Sequence, residues 1–248
     1  MDSDAALYRR GMATLIASWE AYARGAPGAT VQRTPGVVAA IFPHDPERAV
    51  YNNAILTGGL TAGARATALE AMAVAYAAAG VQLYAAWVHE TDTSMQAELE
   101  RRGYAVDSST RAMGLALTDL VQERPQIAVS ALAWDAYVRQ FGLPPGLLAH
   151  ADHARFHLLV ARLGEDAVAA ALAFDHAGDC GIYNVETLEH ARRRGLGTAL
   201  TLVQLHDARD RGCRTASLQA TPMAERVYAA IGFRDLGRIL EYVPGTHG

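Results

Sequence analysis

Seven consecutive residues, Arg192-Arg193-Arg194-Gly195-Leu196-Gly197-Thr198, combine three cations with two glycines. The run follows a strand-like segment, Gly181 to Thr187, and opens a helical one, Leu196 to Arg211. Glycine lets the backbone turn tightly and lets a ligand approach it closely. The first amides of a helix have no intrahelical acceptor and lie at the positive end of the helix dipole. Together these features make a pyrophosphate cradle, with the arginines adding positive charge. An ordinary strand-to-helix turn with a solvated arginine run has the same pattern. A dinucleotide fingerprint would need a third glycine at position 200, which is Leu200.

Other chemistries leave fewer traces. All 22 basic residues are Arg and none is Lys, which excludes a P-loop lysine, a kinase strand lysine and a Schiff-base lysine. Cys180 and Cys213 are too few for a disulfide framework or a thiolate zinc site. His150, His153 and His157, with Asp152, could hold a metal on one continuous helix. Pro144 suits the start of that helix, but Phe156 onward reads as strand, so the face breaks and no metal is expected. There is no Gly-x-Ser-x-Gly elbow and no His-Glu-x-x-His pair. A net charge of −4 argues against nucleic-acid binding. Met1 to Leu15 lacks an apolar targeting core, and no stretch approaches a membrane span, so a cytoplasmic protein without membrane contact is expected.

The elements that must position the cradle follow from periodicity. Asp4 opens a helix to about Ala23, with Tyr8, Met12, Leu15, Trp19 and Tyr22 on one face. Gly25 to Gly36 reads as loop. Strand-like runs are Val37 to Phe42, Arg48 to Leu56, Val81 to His89 and Arg111 to Leu117; helical runs are Ala64 to Ala79 and Met95 to Arg102. Thr118 to Pro125 is the linker candidate. Ser130 is expected to cap a helix carrying Trp134, Val138 and Phe141. Strands at Phe156 to Leu163, Ala167 to Phe174, Thr215 to Ala220 and Gly237 to Val243 follow, with a helix over Ala224 to Ile231.

An internal repeat runs through this list. Tyr51-Asn52, Leu56, Gly63 and Gly80 recur 132 positions later as Tyr183-Asn184, Leu188, Gly195 and Gly212. Gly103-Tyr104 recurs 129 positions later as Gly232-Phe233. Two copies of one α+β unit, arisen by duplication, account for the constant offset.

Arg-x-x-Gly-x-Gly after a strand resembles the coenzyme A loop of the GCN5-related N-acetyltransferases (GNAT). Ser217 to Ala220, then Thr221 to Tyr228, then Gly232-Phe233, resembles that family's strand, short helix and Gly-Phe turn. The resemblance covers about Phe156 to Val243. It implies an α+β fold, an α/β sandwich of two tandem acetyltransferase-like domains, 1–120 and 126–248, each a mixed, mostly antiparallel sheet flanked by helices. It further implies that acetyl-CoA binds along Val185 and Thr187, with its pyrophosphate at Arg192, Arg193, Arg194, Gly195, Gly197 and Thr198. By the same resemblance, Tyr228 protonates the departing thiolate, or packs the rim of its helix. Glu186 deprotonates the amine, or water does.

In the first copy, Leu60 stands at the place of Arg192, Arg65 at Gly197, Leu99 at Tyr228 and Ala54 at Glu186. That copy is therefore expected to be non-catalytic. The reading as a whole is an acetyl-CoA-dependent N-acetyltransferase acting directly on a small amine, as a monomer or homodimer. A non-catalytic acyl-CoA sensor and an interaction protein without a CoA site are the alternatives.

Overall fold

The computed structural model describes residues 2–44, 51–130, 132–141 and 152–245. The chain forms two compact units, each assembled from separated segments. One, which carries the glycine loop, consists of Met1–Ser18 and Arg111–Leu236; its companion consists of Trp19–Thr110 and Gly237–Gly248.

The companion unit holds the strands β1 (Thr30–Thr34), β2 (Val37–Ile41), β3 (Asn53–Leu56) and β4 (Ala85–His89). They lie in that order and are followed by β11 (Arg234–Pro244), whose Ile239 to Tyr242 pair antiparallel with Ala86 to His89. β3 and β4 are parallel, from Asn53 opposite Ala85 to Ile55 opposite Trp87. Helices α2 (Ala62–Ala78) and α3 (Thr93–Arg101) bury Leu69, Met72, Tyr76, Met95 and Leu99 against the sheet residues Val37, Ala54, Val88 and Tyr242. β1 replaces the loop expected over Gly25 to Gly36. Its exposed pattern gives no strand signal, and its five-residue antiparallel pairing with the apolar β2 holds it extended. Residues 48–50 of the Arg48 to Leu56 run, and Pro144, lie outside the described residues.

In the loop-bearing unit the order is β5 (Tyr104–Ala116), β10 (Thr215–Ala220), β9 (Asp179–Thr187), β8 (Asp166–His176), β7 (Phe156–Leu163) and β6 (Val129–Ser130). β5 enters this unit through Arg111 to Ala116. Ala167 to Phe174 of β8 is buried without interruption, as a strand covered on both faces must be. Helix α5 (Leu196–Asp210) packs Leu200 against Ala161, Ala169 and Ala171. Leu202 and Leu205 of the same helix join a second cluster with Leu218, Ile231 and Phe233.

The N-terminal helix α1 (Asp4–Gly25) gives its first part, through Ser18, to this unit. Ser3 rather than Asp4 caps it, accepting from the Ala6 amide at 3.2 Å. Ser130 is no helix cap either. It lies in β6, its Oγ accepts from Arg162 Nε at 2.9 Å, and α4 (Trp134–Gln140) begins after Ala133 without a side-chain cap.

The compact units are thus cut differently from the two sequence halves, 1–120 and 126–248. The closing strand of each half pairs in the unit built mainly from the other half: β5 through Arg111 to Ala116 on β10, β11 through Ile239 to Tyr242 on β4. Strand pairing depends on backbone and face pattern, so either closing strand satisfies either sheet.

Candidate active site

The site begins where two parallel strands part. β9 and β10 pair from Asp179–Thr215 to Gly181–Ser217, and no register continues between them beyond that point. β9 nevertheless runs on to Thr187 and β10 to Ala220. On its other edge β9 stays paired with β8, but the register shifts. Tyr183 faces Leu172 and Glu186 faces Ala170, so Asn184 and Val185 together oppose Ala171. This is a β-bulge, and Asn184 takes a left-handed φ of 48° within it. Asparagine is among the few side chains that adopt this conformation readily. The bulge bends β9 and leaves the edge of Ile182 to Thr187 without a ladder partner in β10.

The glycine loop stands at the end of that free edge. A single 3-10 turn, Glu189–Ala191, leads into Arg192, whose Nε donates to the Thr187 carbonyl at 3.1 Å. Arg193 and Gly195 have positive φ, 63° and 74°, and Gly195 is the residue before α5. The first bond of the helix runs from Ala199 N–H to Gly195 O at 2.9 Å. The amides of Leu196, Gly197 and Thr198 precede it and lie at the positive end of the helix. A β-carbon on Gly195 would touch nothing within 4 Å, so glycine is needed there for its φ. Gly197 is a matter of space: a β-carbon would stand 3.5 Å from Val185 Cγ1 and 3.7 Å from Thr187 Oγ1. A larger side chain would fill the gap between helix and strand.

The structure therefore brings Val185, Thr187, Gly197 and Thr198 together at one end of the parted strands. Val185 also packs on the core, whereas Glu186 is exposed on the strand between its two neighbours. Arg192, Arg193 and Arg194 are all exposed around the loop. Tyr228 comes from α6 (Glu225–Ile231) and is 9% exposed, packed edge-on to Phe233 with ring centres 5.9 Å apart. Burial pushes its phenol up to about 12. It therefore stays protonated at any ordinary pH and has a proton to donate.

Of the three histidines considered for a metal, His150 lies outside the described residues. His157 is on β7, with Nε2 3.4 Å from Asp175 Oδ2, and Asp175 is also held by Arg211. The bulge at Asn184 was not read from the sequence, although Tyr183-Asn184 stood out as half of a repeated pair; an Asn inside an apolar strand is the usable signal.

The corresponding place in the first copy is built differently. The Gly59 amide donates to Asp92 Oδ2 at 3.2 Å, and Asp92 Oδ1 accepts from Met95 N at 3.0 Å, capping α3. Arg65 turns its Nη1 back onto the Leu60 carbonyl at 2.6 Å. The chain thus spends its own carboxylate on a loop amide there, and Thr61 rather than a left-handed glycine precedes α2, so Arg65, matched to Gly197 by sequence offset, falls two residues further into its helix.

A mixed sheet with a parted parallel pair thus offers an extended backbone edge, with the unpaired amides of a glycine-opened helix at its end. Residues 126–233 match the model of the Acetyltransferase (GNAT) family. Solved structures share the fold across the whole chain. A GCN5-related N-acetyltransferase from Kribbella flavida is 20% identical with a TM-score of 0.73, covering 97% of this chain and 96% of its own. Another from Sphaerobacter thermophilus is 19% identical, TM-score 0.60, covering 93% and 94%. A tandem GNAT protein from the clavulanic acid biosynthesis pathway is 13% identical, TM-score 0.62, covering 95% and 94%. No curated protein matches the chain. The family is one of acetyltransferases, which supports acetyl transfer from acyl-CoA as the general activity. No helix among the described residues is long and apolar enough to cross a membrane.

Proposed function

We propose that the loop-bearing unit is an N-acetyltransferase that takes acetyl-CoA and passes its acetyl group directly to the amine of a small acceptor. The observation that carries this reading is the free edge of β9 from Ile182 to Thr187, ending beside Gly197 at the N-terminus of α5. An extended amide-containing arm can pair along such an edge as a strand would, and a pyrophosphate can take the amides at its end. Arg192, Arg193 and Arg194 supply charge to the same phosphates.

The reaction needs three proton and charge movements. The neutral amine nitrogen attacks the thioester carbonyl, forming the C–N bond and placing the electron pair on oxygen. Collapse of that oxyanion breaks the C–S bond and releases the CoA thiolate. Tyr228 gives its proton to the sulfur, and Glu186, or water beside it, takes the proton from nitrogen. The products are an acetamide and free CoA. Burial of Tyr228 also favours a second reading, a CoA-binding protein in which this ring only packs. The companion unit, with Asp92 and Arg65 occupying its loop, is assigned a non-catalytic role. A cytoplasmic setting agrees with Cys180 and Cys213, both buried free thiols.

The test is turnover of acetyl-CoA with a panel of primary amines, following thiol release and identifying the acetamide by mass. Thiol release that depends on an amine, with a matching N-acetyl product, supports the transferase. CoA binding without turnover on any amine supports the second reading, and absence of CoA binding overturns both.

A further inference from the structure

Asp179 is the first residue of β9 and is 2% exposed, yet no cation pairs with it among the described residues. Three hydroxyls converge on its carboxylate instead. Thr215 Oγ1 donates to Oδ1 at 2.6 Å, and Ser217 Oγ donates to Oδ2 at 2.7 Å. Thr14 Oγ1, on α1, lies 2.8 Å from the same Oδ2 and shares its proton with the Arg10 carbonyl at 3.0 Å. A buried carboxylate is costly unless hydrogen-bonded, so these contacts define where it can sit. α1 approaches closely at the same point: a β-carbon on Gly11 would stand 2.8 Å from Ser217 Cβ.

Thr215 and Ser217 are the two ends of the only stretch of β10 in register with β9. Tied to one carboxylate on β9, they fix that register. Immediately beyond Ser217 no such tie exists, and the bulge at Asn184 and Val185 carries β9 away. We infer that Asp179 is a positioning residue, which pins α1 and β10 to β9 at the point of parting and so sets the width of the slot for the acyl-CoA arm. This rests on the acyl-CoA reading above, through the ligand but not through the strands.

Two variants test it: Asp179→Asn, which keeps the volume but loses the charge, and Thr14→Val, which removes one donor from α1. Each is measured by hydrogen exchange without ligand and by calorimetric titration with CoA. Exchange in peptides spanning 179–183 and 215–218 is expected to rise about tenfold, the scale of one hydrogen bond to a charged group, while peptides from α5 stay as in the parent chain. CoA affinity is expected to fall by a similar factor, with KM for acetyl-CoA rising and kcat holding. If Asp179→Asn does not fold, Thr14→Val carries the test alone. A folded variant with unchanged local exchange and CoA affinity overturns the proposal. So does a uniform rise of exchange through every element, which marks a general loss of stability. If the parent chain binds no CoA, the functional reading fails and the exchange pattern alone decides the role of Asp179.

Discussion

The two copies share a strand, a glycine turn and a helix in the same order, and differ at the positions where a phosphate would have to come close. In the second copy Gly197 leaves a gap one methyl wide against Val185, and β9 continues six residues past its last pairing with β10. In the first, Thr61 caps α2, Arg65 turns back onto the Leu60 carbonyl, Asp92 takes the Gly59 amide, and β3 stays paired with β4 to within one residue of its end. A helix N-terminus offers the same dipole in both copies. What separates them is backbone access: the second copy has a left-handed glycine before its helix and a free strand edge, and the first has Thr61 and a paired β3. The hydrophobic patterning that builds the sheet is thus independent of the features that make the loop a site.

The sharpest way to break this contrast is to make the second copy resemble the first. Gly197→Trp places an indole in the gap beside Val185 and Thr187 and is expected to lower CoA affinity more than a hundredfold, about 3 kcal/mol, while circular dichroism stays unchanged. Calorimetry on the folded variant checks it; undiminished affinity would remove the loop from the site.

Next in size is Tyr228→Phe, expected to lower kcat roughly ten- to a thousand-fold with little change in CoA affinity. The first copy has Leu99 in this place, so unchanged turnover, with chemistry limiting the rate, would make the two copies alike there. The phenol also has a signature in stability. Its folded value of about 12 lies above its ordinary 10.0, so the protonated form is favoured by folding. That contribution is complete below pH 10 and is lost as pH rises toward 12; melting curves of Tyr228→Phe should lack this part of the alkaline decline.

Replacing Arg192, Arg193 and Arg194 together by Ala is expected to weaken CoA binding about tenfold at low salt, and less at high salt, because exposed charges are screened. Titration at two ionic strengths measures it, and a loss independent of salt would mean that the arginines act by shaping the loop.

The smallest effect is expected in the first copy. Asp92→Ala removes the cap of α3 and should cost about 1 kcal/mol of stability, read by denaturant unfolding, without altering CoA binding. A change in CoA stoichiometry would give that loop a role it lacks in this account.

Much of this was legible in the sequence. β10 occupies the expected Thr215 to Ala220, an alternating run stopped by Thr221-Pro222, and α5 begins at the expected Leu196, directly after Gly195. β1 was not legible, since its extended form comes from pairing with β2 rather than from its own exposed residues. Nor was the exchange of closing strands, because two repeats with the same face pattern do not encode which sheet each strand joins. The loop residues could be named from type and spacing. The free edge beside them was not legible, because it comes from the register shift and bulge at Asn184.

The central claim is that backbone access, present once, makes a single CoA site. Calorimetric titration of CoA into the parent chain and into Gly197→Trp tests it directly. The account predicts one equivalent per parent chain and none in the folded variant. Two equivalents in the parent chain, or one retained in Gly197→Trp, would contradict it.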